Sequence, residues 1–421
     1  MEKYMDINEI QVKSEYCLNC KVKPCSKGCP LNNNIPEFIK EVKQKNYEEA
    51  YNILCETTVL QPICGRICPH MSQCQGKCVR GIKSDPVSIG DLEAFVGDMA
   101  LQNNYEIKKE DNNGKTVAII GGGPAGLTCG AFLARKGYNV TIYEKHKELG
   151  GILTHGIPEF RLPREVTQKA IQKIIDLGIN VEYNMQLGKN IKMEDLTKKY
   201  DAVFLAFGAN IPSKMNIEGE SIPGVFGGNS LLENNEHPDY NGKKVAVIGG
   251  GNVAMDCSRT IKKMGAEEVC VIYRRAEKQM PAERKEIEDA KKEGVNFLFQ
   301  TNIVKINGKE KVESVECIKT ELVKKDGESR EVPVNIENSN FIKEFDYVIM
   351  AVGSVAEEAV VKNLGIELTE RNYIKVDENY MTTKNGVFAG GDLIGGKATV
   401  AWAARAGRDT AYSIDEYLKK M

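Results

Sequence analysis

The stretch Thr116-Val-Ala-Ile-Ile-Gly-Gly-Gly-Pro-Ala-Gly126 decides how this chain folds. Five largely apolar residues in a row suit a strand buried in a parallel sheet. The glycines that follow form a tight turn, a small-residue helix is expected over Leu127–Lys136, and Asn139-Val-Thr-Ile-Tyr143 reads as a second strand. Strand, turn, helix and strand make a βαβ unit of about 30 residues. In Gly121-x-Gly123-x-x-Gly126, with Pro124 and Ala125 between the last two glycines, the first glycine permits the turn. The second lets backbone approach a pyrophosphate, and the third lets helix and strand pack closely. The helix N-terminus offers unpaired N–H groups to phosphate. Glu144 ends the second strand, where a carboxylate can accept from ribose hydroxyls.

The pattern recurs 128 residues later. Lys244-Val-Ala-Val-Ile248 leads into Gly249-Gly-Gly251-Asn252-Val253-Ala254, a helix running to Met264, and the strand Val269-Cys-Val-Ile-Tyr273. This second strand ends in Arg274 and Arg275 where the first ends in an acid. Two guanidinium groups at the ribose edge favour a 2′-phosphate and hence NADPH, although both could simply solvate a loop. The expectation is one fold for a flavin, FAD, and one for the nicotinamide that reduces it. The apolar run Asp346–Val352 and the segment Gly386–Asp392 read as the first fold resuming after the second is inserted in it. Gly391 and Asp392 would then stand near the flavin's ribityl or phosphate region. Thr399 would open a helix whose N-terminus stabilises negative charge on reduced flavin.

Ahead of both folds, nine of the thirteen cysteines fall between Cys17 and Cys78. The spacings are Cys17-x2-Cys20-x4-Cys25-x3-Cys29-Pro30 and Cys64-x3-Cys68-Pro69-x4-Cys74-x3-Cys78. Short-spaced thiolates with a remote ligand, and a proline after the last cysteine of a run, suit iron–sulfur clusters. Zinc is the competing reading, and free structural thiols a third. Cys55 reads as packing, and Cys129, Cys257, Cys270 and Cys317 as small buried residues of the nucleotide folds. The four histidines need no catalytic role, because hydride transfer to flavin requires no general acid or base.

Composition narrows the class. Forty-two per cent hydrophobic and 28% charged residues are ordinary for a globular protein, and a net charge of -2 gives no reason to expect nucleic acid or an anionic membrane. No apolar run approaches the roughly 18–20 residues that span a bilayer, and Met1–Asp6 lacks signal-peptide character. A cytoplasmic location is expected, where clustered cysteines are metal ligands more often than disulfides. The fold expected is α/β: two Rossmann-like domains, one inserted in the other, preceded by a helical iron–sulfur domain. The boundaries expected are 1–113, 114–240, 241–345 and 346–421, with Lys108–Gly114 as a linker and a helical stretch over Ile35–Ala50.

With these motifs in order, the chain resembles the small-subunit family of NADPH-dependent glutamate synthase. The same module occurs in the N-terminal half of dihydropyrimidine dehydrogenase and in the large subunit of the NADH-dependent ferredoxin–NADP oxidoreductase. The resemblance rests on the first cysteine run, Gln61-Pro-Ile-Cys-Gly-Arg-Ile-Cys-Pro69, Gly151–Pro163, Tyr273–Ala282 and Phe388–Asp392. It implies cofactor contacts from Gly151 and Arg161 and two [4Fe-4S] clusters with interleaved ligands. Cys17, Cys20, Cys25 and Cys78 would hold one; Cys29, Cys68, Cys74 and the non-cysteine ligand Glu93 would hold the other, leaving Cys64 spare. The implied activity is hydride transfer from NADPH to FAD, then single electrons through the clusters to a partner, a large subunit in the leading case. No amidotransferase or synthase barrel is recognisable in the sequence. The alternatives are the NAD(P)H-oxidising subunit of another complex, of dihydropyrimidine dehydrogenase or bifurcating transhydrogenase type, and a redox-sensing subunit without turnover.

Overall fold

The computed structural model describes residues 6–324 and 331–421; the remainder of the signal-peptide reading, residues 1–5, lies outside them. The chain forms two compact units, one from residues up to Ala209 together with Ala356–Met421, the other Asn210–Val355.

The first unit begins with helices Ile7–Glu15, Pro24–Gly28, Ile35–Lys43, Tyr47–Cys55, Gln61–Ile67 and Ile89–Gln102. They close on Phe38, Ile39, Val42, Leu54, Leu92 and Val96, all fully buried. The single helical stretch expected over Ile35–Ala50 is two helices, because Lys45 takes a left-handed φ of +62° that ends the first. Two glycines set the closest helix contact. A Cβ at Gly65 would overlap the Ala94 backbone nitrogen, and one at Gly97 would overlap that of Pro62. The Arg66 guanidinium reinforces the pair with two hydrogen bonds to the Asp98 carboxylate, 2.9 and 2.8 Å.

A five-stranded parallel sheet follows, in the order Val387–Ala389, Ala202–Leu205, Thr116–Ile120, Asn139–Tyr143, Asn180–Glu182. The segment expected to be a linker is tied to this fold, with Glu110 N donating to Arg135 O and Asn113 N to Gly137 O. The helix expected from Leu127 starts three residues earlier, at Pro124, and ends at Arg135. The C-terminal helix Val400–Leu418 lies across it so closely that a Cβ at Gly407 would overlap the Ala125 carbonyl.

The second unit has its own parallel sheet: Val225–Gly227, Tyr347–Met350, Lys244–Ile248, Glu268–Tyr273, Asn296–Phe299. This corrects two expected boundaries. Tyr347–Met350 pairs with Lys244–Ile248 and does not resume the first sheet, so the return comes after Val355 and not at 346. Residues 210–240 likewise belong to the second unit. An antiparallel sheet of Thr301–Asn307, Ser314–Val323, Val332–Asn335 and Phe341–Glu344 completes it. Ile211–Pro212 and Ser354–Val355 pair antiparallel where the chain enters and leaves.

Arg259, 7% exposed, anchors the helix Asn252–Lys263 that follows the second glycine turn. It donates to Glu293 at 2.9 and 2.8 Å and to Glu286. Its hydrogen bonds hold the Glu293 carboxyl below the usual range against the effect of burial. Arg259→Ala should therefore cost about 3–5 kcal/mol in denaturant titration, since it strands buried carboxylates. The sign with pH follows from the lowered value. The Glu293 contribution is full above the ordinary glutamate value of about 4.3 and is lost as pH falls through the lowered one. Variant and parent stabilities should converge in acid.

Candidate functional site

The first glycine turn has the geometry a phosphate cradle needs. Gly121 has φ +104°, and a Cβ there would stand 2.7 Å from the Ala206 carbonyl oxygen. A Cβ at Gly126 would overlap the Gly121 carbonyl, so the helix Pro124–Arg135 sits directly on the turn. Gly123 faces open space, and no side chain caps the helix, so its first N–H groups stay available. Glu144, 4% exposed, accepts from Gly122 N at 2.8 Å and from His146 N at 2.9 Å, one bond on each oxygen. A carboxylate has about four acceptor positions, so capacity for ribose hydroxyls remains.

Two distant segments close on this turn. Gly150 N donates to Gly122 O at 2.8 Å, and Gly151, at φ +52°, stands with its Cβ position 3.1 Å from the Gly123 Cα. Gly391, at φ +67°, packs on Ala125. Asp392 follows it, and burial lifts its carboxyl above the usual range. Thr399 caps the C-terminal helix by accepting from Trp402 N at 3.4 Å. Arg161 is half-buried in the loop between Gly151 and the helix Arg164–Ile175.

The second turn repeats the first. Gly249 has φ +140° and its Cβ would overlap the Ala351 carbonyl, while Gly251 faces open space. Ala254 is buried in the helix at the position equivalent to Gly126, and Val253 is half-buried beside it. Asn252 is engaged elsewhere, its Oδ1 accepting from Glu283 N at 2.9 Å, while Ala282 N donates to Gly250 O at 3.1 Å. The Met280–Glu283 segment is thus folded back onto the turn. The Tyr273 ring packs against Gly250, and its hydroxyl donates to Gln279 O at 2.8 Å. Arg274 is exposed and Arg275 half-buried. Their carbonyls accept from Thr320 Oγ1 and Gln300 N, yet neither guanidinium has a partner among the described residues.

The cysteines gather in two adjoining groups. Cys17, Cys20, Cys25 and Cys78 together line a solvent-open recess of about 360 Å³, with Leu18, Ile35, Ile39 and Val79 among the other walls. Burial raises the proton affinities of Cys29 and Cys74, and a hydrogen bond with Cys64 that of Cys68; nearby Glu93 adds to all three and Cys29 to the other two, which gathers them, with Cys64, in a second group. Among the described residues no three His, Cys, Asp or Glu side chains converge as on a single metal ion. A cubane spreads its ligand sulfurs over four irons, so thiols arranged around a recess suit it better than they suit one tetrahedral zinc. Burial pushes Cys25 up to about 11 and Cys29 to about 12; Cys68 is raised well above the usual range by its hydrogen bond with Cys64, then by burial. Burial lifts Glu93, 5% exposed, to about 8 despite a hydrogen bond from Asn33. Acids so crowded keep their protons unless a cationic centre replaces them, which an iron core would do. The residues present fit the group.

Several residues of this region were not legible beforehand. Asn33 Nδ2 donates to Glu93 Oε1 at 3.2 Å, and Thr57 Oγ1 donates to Asn33 Oδ1 at 2.7 Å, fixing the amide's orientation. From the C-terminal helix, Arg405 donates to Pro30 O at 3.2 Å, and Arg408 to Leu31 O at 2.6 Å and Thr57 O at 3.2 Å. Cys55, Cys64, Cys129, Cys257, Cys270 and Cys317 are all buried, and of these Cys64 stands beside Cys29 and hydrogen-bonds with Cys68.

Residues 115–407 match the pyridine nucleotide-disulphide oxidoreductase family, and residues 1–105 match dihydropyrimidine dehydrogenase domain II, 4Fe-4S cluster. The glutamate synthase [NADPH] small chain of Escherichia coli is 34% identical over all of this chain and 94% of its own length. The NADP(+)-dependent formate dehydrogenase subunit beta of Moorella thermoacetica is 37% identical over 94% of this chain, which spans 60% of that longer protein. Among solved structures, FprA of Mycobacterium tuberculosis in complex with NADPH shares the fold, with a TM-score of 0.63 at 19% identity over 73% of this chain and 85% of that one. No described helix is long and apolar enough to cross a membrane. The chain therefore belongs to the pyridine nucleotide-disulphide oxidoreductases, among the relatives of the NADPH glutamate synthase small chains, and is an FAD- and NADPH-dependent oxidoreductase with a 4Fe-4S domain.

Proposed function

We propose that this chain is the cytoplasmic electron-input subunit of a larger enzyme, passing the electron pair of NADPH one electron at a time to a partner. FAD when bound exchanges a hydride with NADPH and can release electrons singly, and [4Fe-4S] clusters carry them singly. The chain's own residues supply binding and placement. Gly121, Gly123 and Gly126, with the N–H groups at the start of the helix Pro124–Arg135, cradle the flavin pyrophosphate. Glu144 takes its ribose, and Gly151, Arg161, Gly391, Asp392 and Thr399 complete the site. Gly249, Gly251 and the N–H groups of Asn252, Val253 and Ala254 receive the nicotinamide dinucleotide, and Arg274 and Arg275 its 2′-phosphate. Cys17, Cys20, Cys25 and Cys78 hold one cluster; Cys29, Cys68, Cys74 and Glu93 hold the other.

One observation carries this reading. The helix that lies on Ala125 of the flavin turn also grips Pro30 and Leu31, directly after Cys29, through Arg405 and Arg408. A single rigid element thus links the dinucleotide turn to a cluster ligand. The near full-length match to glutamate synthase small chains favours a large synthase subunit as partner. The 37% identity to a formate dehydrogenase subunit supports a second reading, the same module in a different complex.

Anaerobic protein carrying FAD and eight irons per chain should bleach its flavin with NADPH and then reduce a one-electron dye of higher potential, ferricyanide. Bleaching without dye reduction would leave a sensor and not a relay. Glu93→Ala should alter or abolish the EPR signal of one cluster and spare the other, whereas two unchanged signals would refute its ligand role. Asn33→Leu keeps the carboxylate but removes its hydrogen-bond donor, so that cluster should persist with a lower midpoint potential in redox titration. Changing Arg274 and Arg275 to Ser removes charge-assisted hydrogen bonds of about 1.5–3 kcal/mol. The KM for NADPH should rise roughly ten- to a hundred-fold with little change for NADH; equal effects on both would count against 2′-phosphate recognition.

A further inference from the structure

The two segments that carry Cys17, Cys20, Cys25 and Cys78 hold cations without acids. From Cys17 to Asn34 the sequence has Lys21, Lys23 and Lys27 and no acidic residue. From Cys64 to Ser84 it has Arg66, Lys77, Arg80 and Lys83, again with no acid, in a chain whose net charge is -2. Three of these cations have internal work. Lys23 pairs with Glu37, Arg66 with Asp98, and Arg80 lies 4.2 Å over the Tyr16 ring while donating to the Tyr16 carbonyl. The other four, Lys21, Lys27, Lys77 and Lys83, are exposed and form no hydrogen bond or ion pair among the described residues.

Within the same two segments stand five exposed large apolar side chains: Leu18 at 52%, Val22 at 69%, Met71 at 50%, Val79 at 40% and Ile82 at 77%. Leu18 and Val79 line the same recess as the four thiols. The Arg80–Tyr16 contact ties the two segments together beside it. Lysines around an iron–sulfur centre could serve only to offset its negative charge. That would account for the charge but not for apolar side chains held in water at the mouth of the recess. An apolar centre with a polar, charged rim is the anatomy of a transient protein interface.

We propose that this face docks a one-electron carrier protein whose own redox centre is surrounded by acidic residues. The proposal rests on the reading that the four cysteines hold an iron–sulfur centre. The lysines steer the acidic face into register and raise the encounter rate, while the apolar lip brings the two centres together. Each encounter moves one electron, oxidising one centre by one and reducing the other by one. Two encounters balance the hydride of one NADPH, with one proton exchanged with water.

The test uses the anaerobic, fully loaded holoenzyme and the variant K21E/K27E/K77E/K83E. A pre-reduced plant-type [2Fe-2S] ferredoxin, an acidic carrier, is mixed with each in stopped flow, and flavin bleaching is followed. For the parent protein the second-order rate should fall as salt rises. In the variant it should be at least tenfold lower and nearly independent of salt, while bleaching by NADPH is unchanged. Oxidised cytochrome c, a basic carrier, should be reduced faster by the NADPH-loaded variant than by the parent. A ferredoxin rate that ignores salt or the charge reversal overturns the docking face. So does charge-dependent flotation of the parent with phosphatidylserine vesicles, which would make this a membrane-binding surface. A holoenzyme that lacks eight irons or fails to reduce ferricyanide with NADPH overturns the electron-input reading itself, so the two failures are distinguishable.

Discussion

Arg408 is the contact on which the arrangement of the first unit depends. Its guanidinium is 8% exposed and needs acceptors for donors that water cannot reach. Asp409 supplies one, and the carbonyls of Leu31 and Thr57 supply the others. Leu31 lies in the loop after Cys29 and Thr57 just after the helix Tyr47–Cys55, where its hydroxyl holds Asn33, and neither belongs to a helix or strand that would otherwise satisfy its carbonyl. The bonds therefore work in both directions: the loop neutralises a costly buried cation, and the cation gives an irregular loop a fixed shape. Because Gly407, one residue away, lies against the Ala125 carbonyl, that shape is referenced to the flavin turn.

The two dinucleotide folds were legible because their signals are local. A short apolar run, glycines at fixed offsets and a terminal acid or arginine pair lie within one βαβ unit. Which sheet a buried strand joins is not local, and there the reading of Tyr347–Met350 went astray. Parallel strands covered on both faces look alike in sequence, and only pairing with Lys244–Ile248 distinguishes this one. The helix break at Lys45 is hidden for a different reason: lysine is a good helix former, and its left-handed backbone belongs to a local cap in which Lys45 N donates to Val42 O and Asn46 N to Glu41 O.

In the cysteine region, side-chain chemistry was legible and its support was not. The cysteines declare themselves by spacing, whereas Glu93 looks like any carboxylate on a helix and came to notice only through a family resemblance. Asn33 and Thr57 reach Glu93 across 60 and 24 positions in turn, and no periodicity marks such a pair. Gly65 and Gly97 could have been noticed as helix-interior glycines, which cost stability unless a close approach requires them. Their purpose becomes plain only where the helix bearing Glu93 touches the helix leading into Cys68.

The Arg408–Leu31 bond spans 377 positions, with the whole second unit synthesised in between. The ribosome makes about 5–20 residues per second, so the loop after Cys29 waits some tens of seconds for its guanidinium. During that time the thiols nearby are already present but lack the framework that fixes their spacing. Iron loaded early would meet a loose set of ligands, and iron loaded late a finished one. The length of this tether thus makes the order of translation and cluster insertion part of how the protein is built.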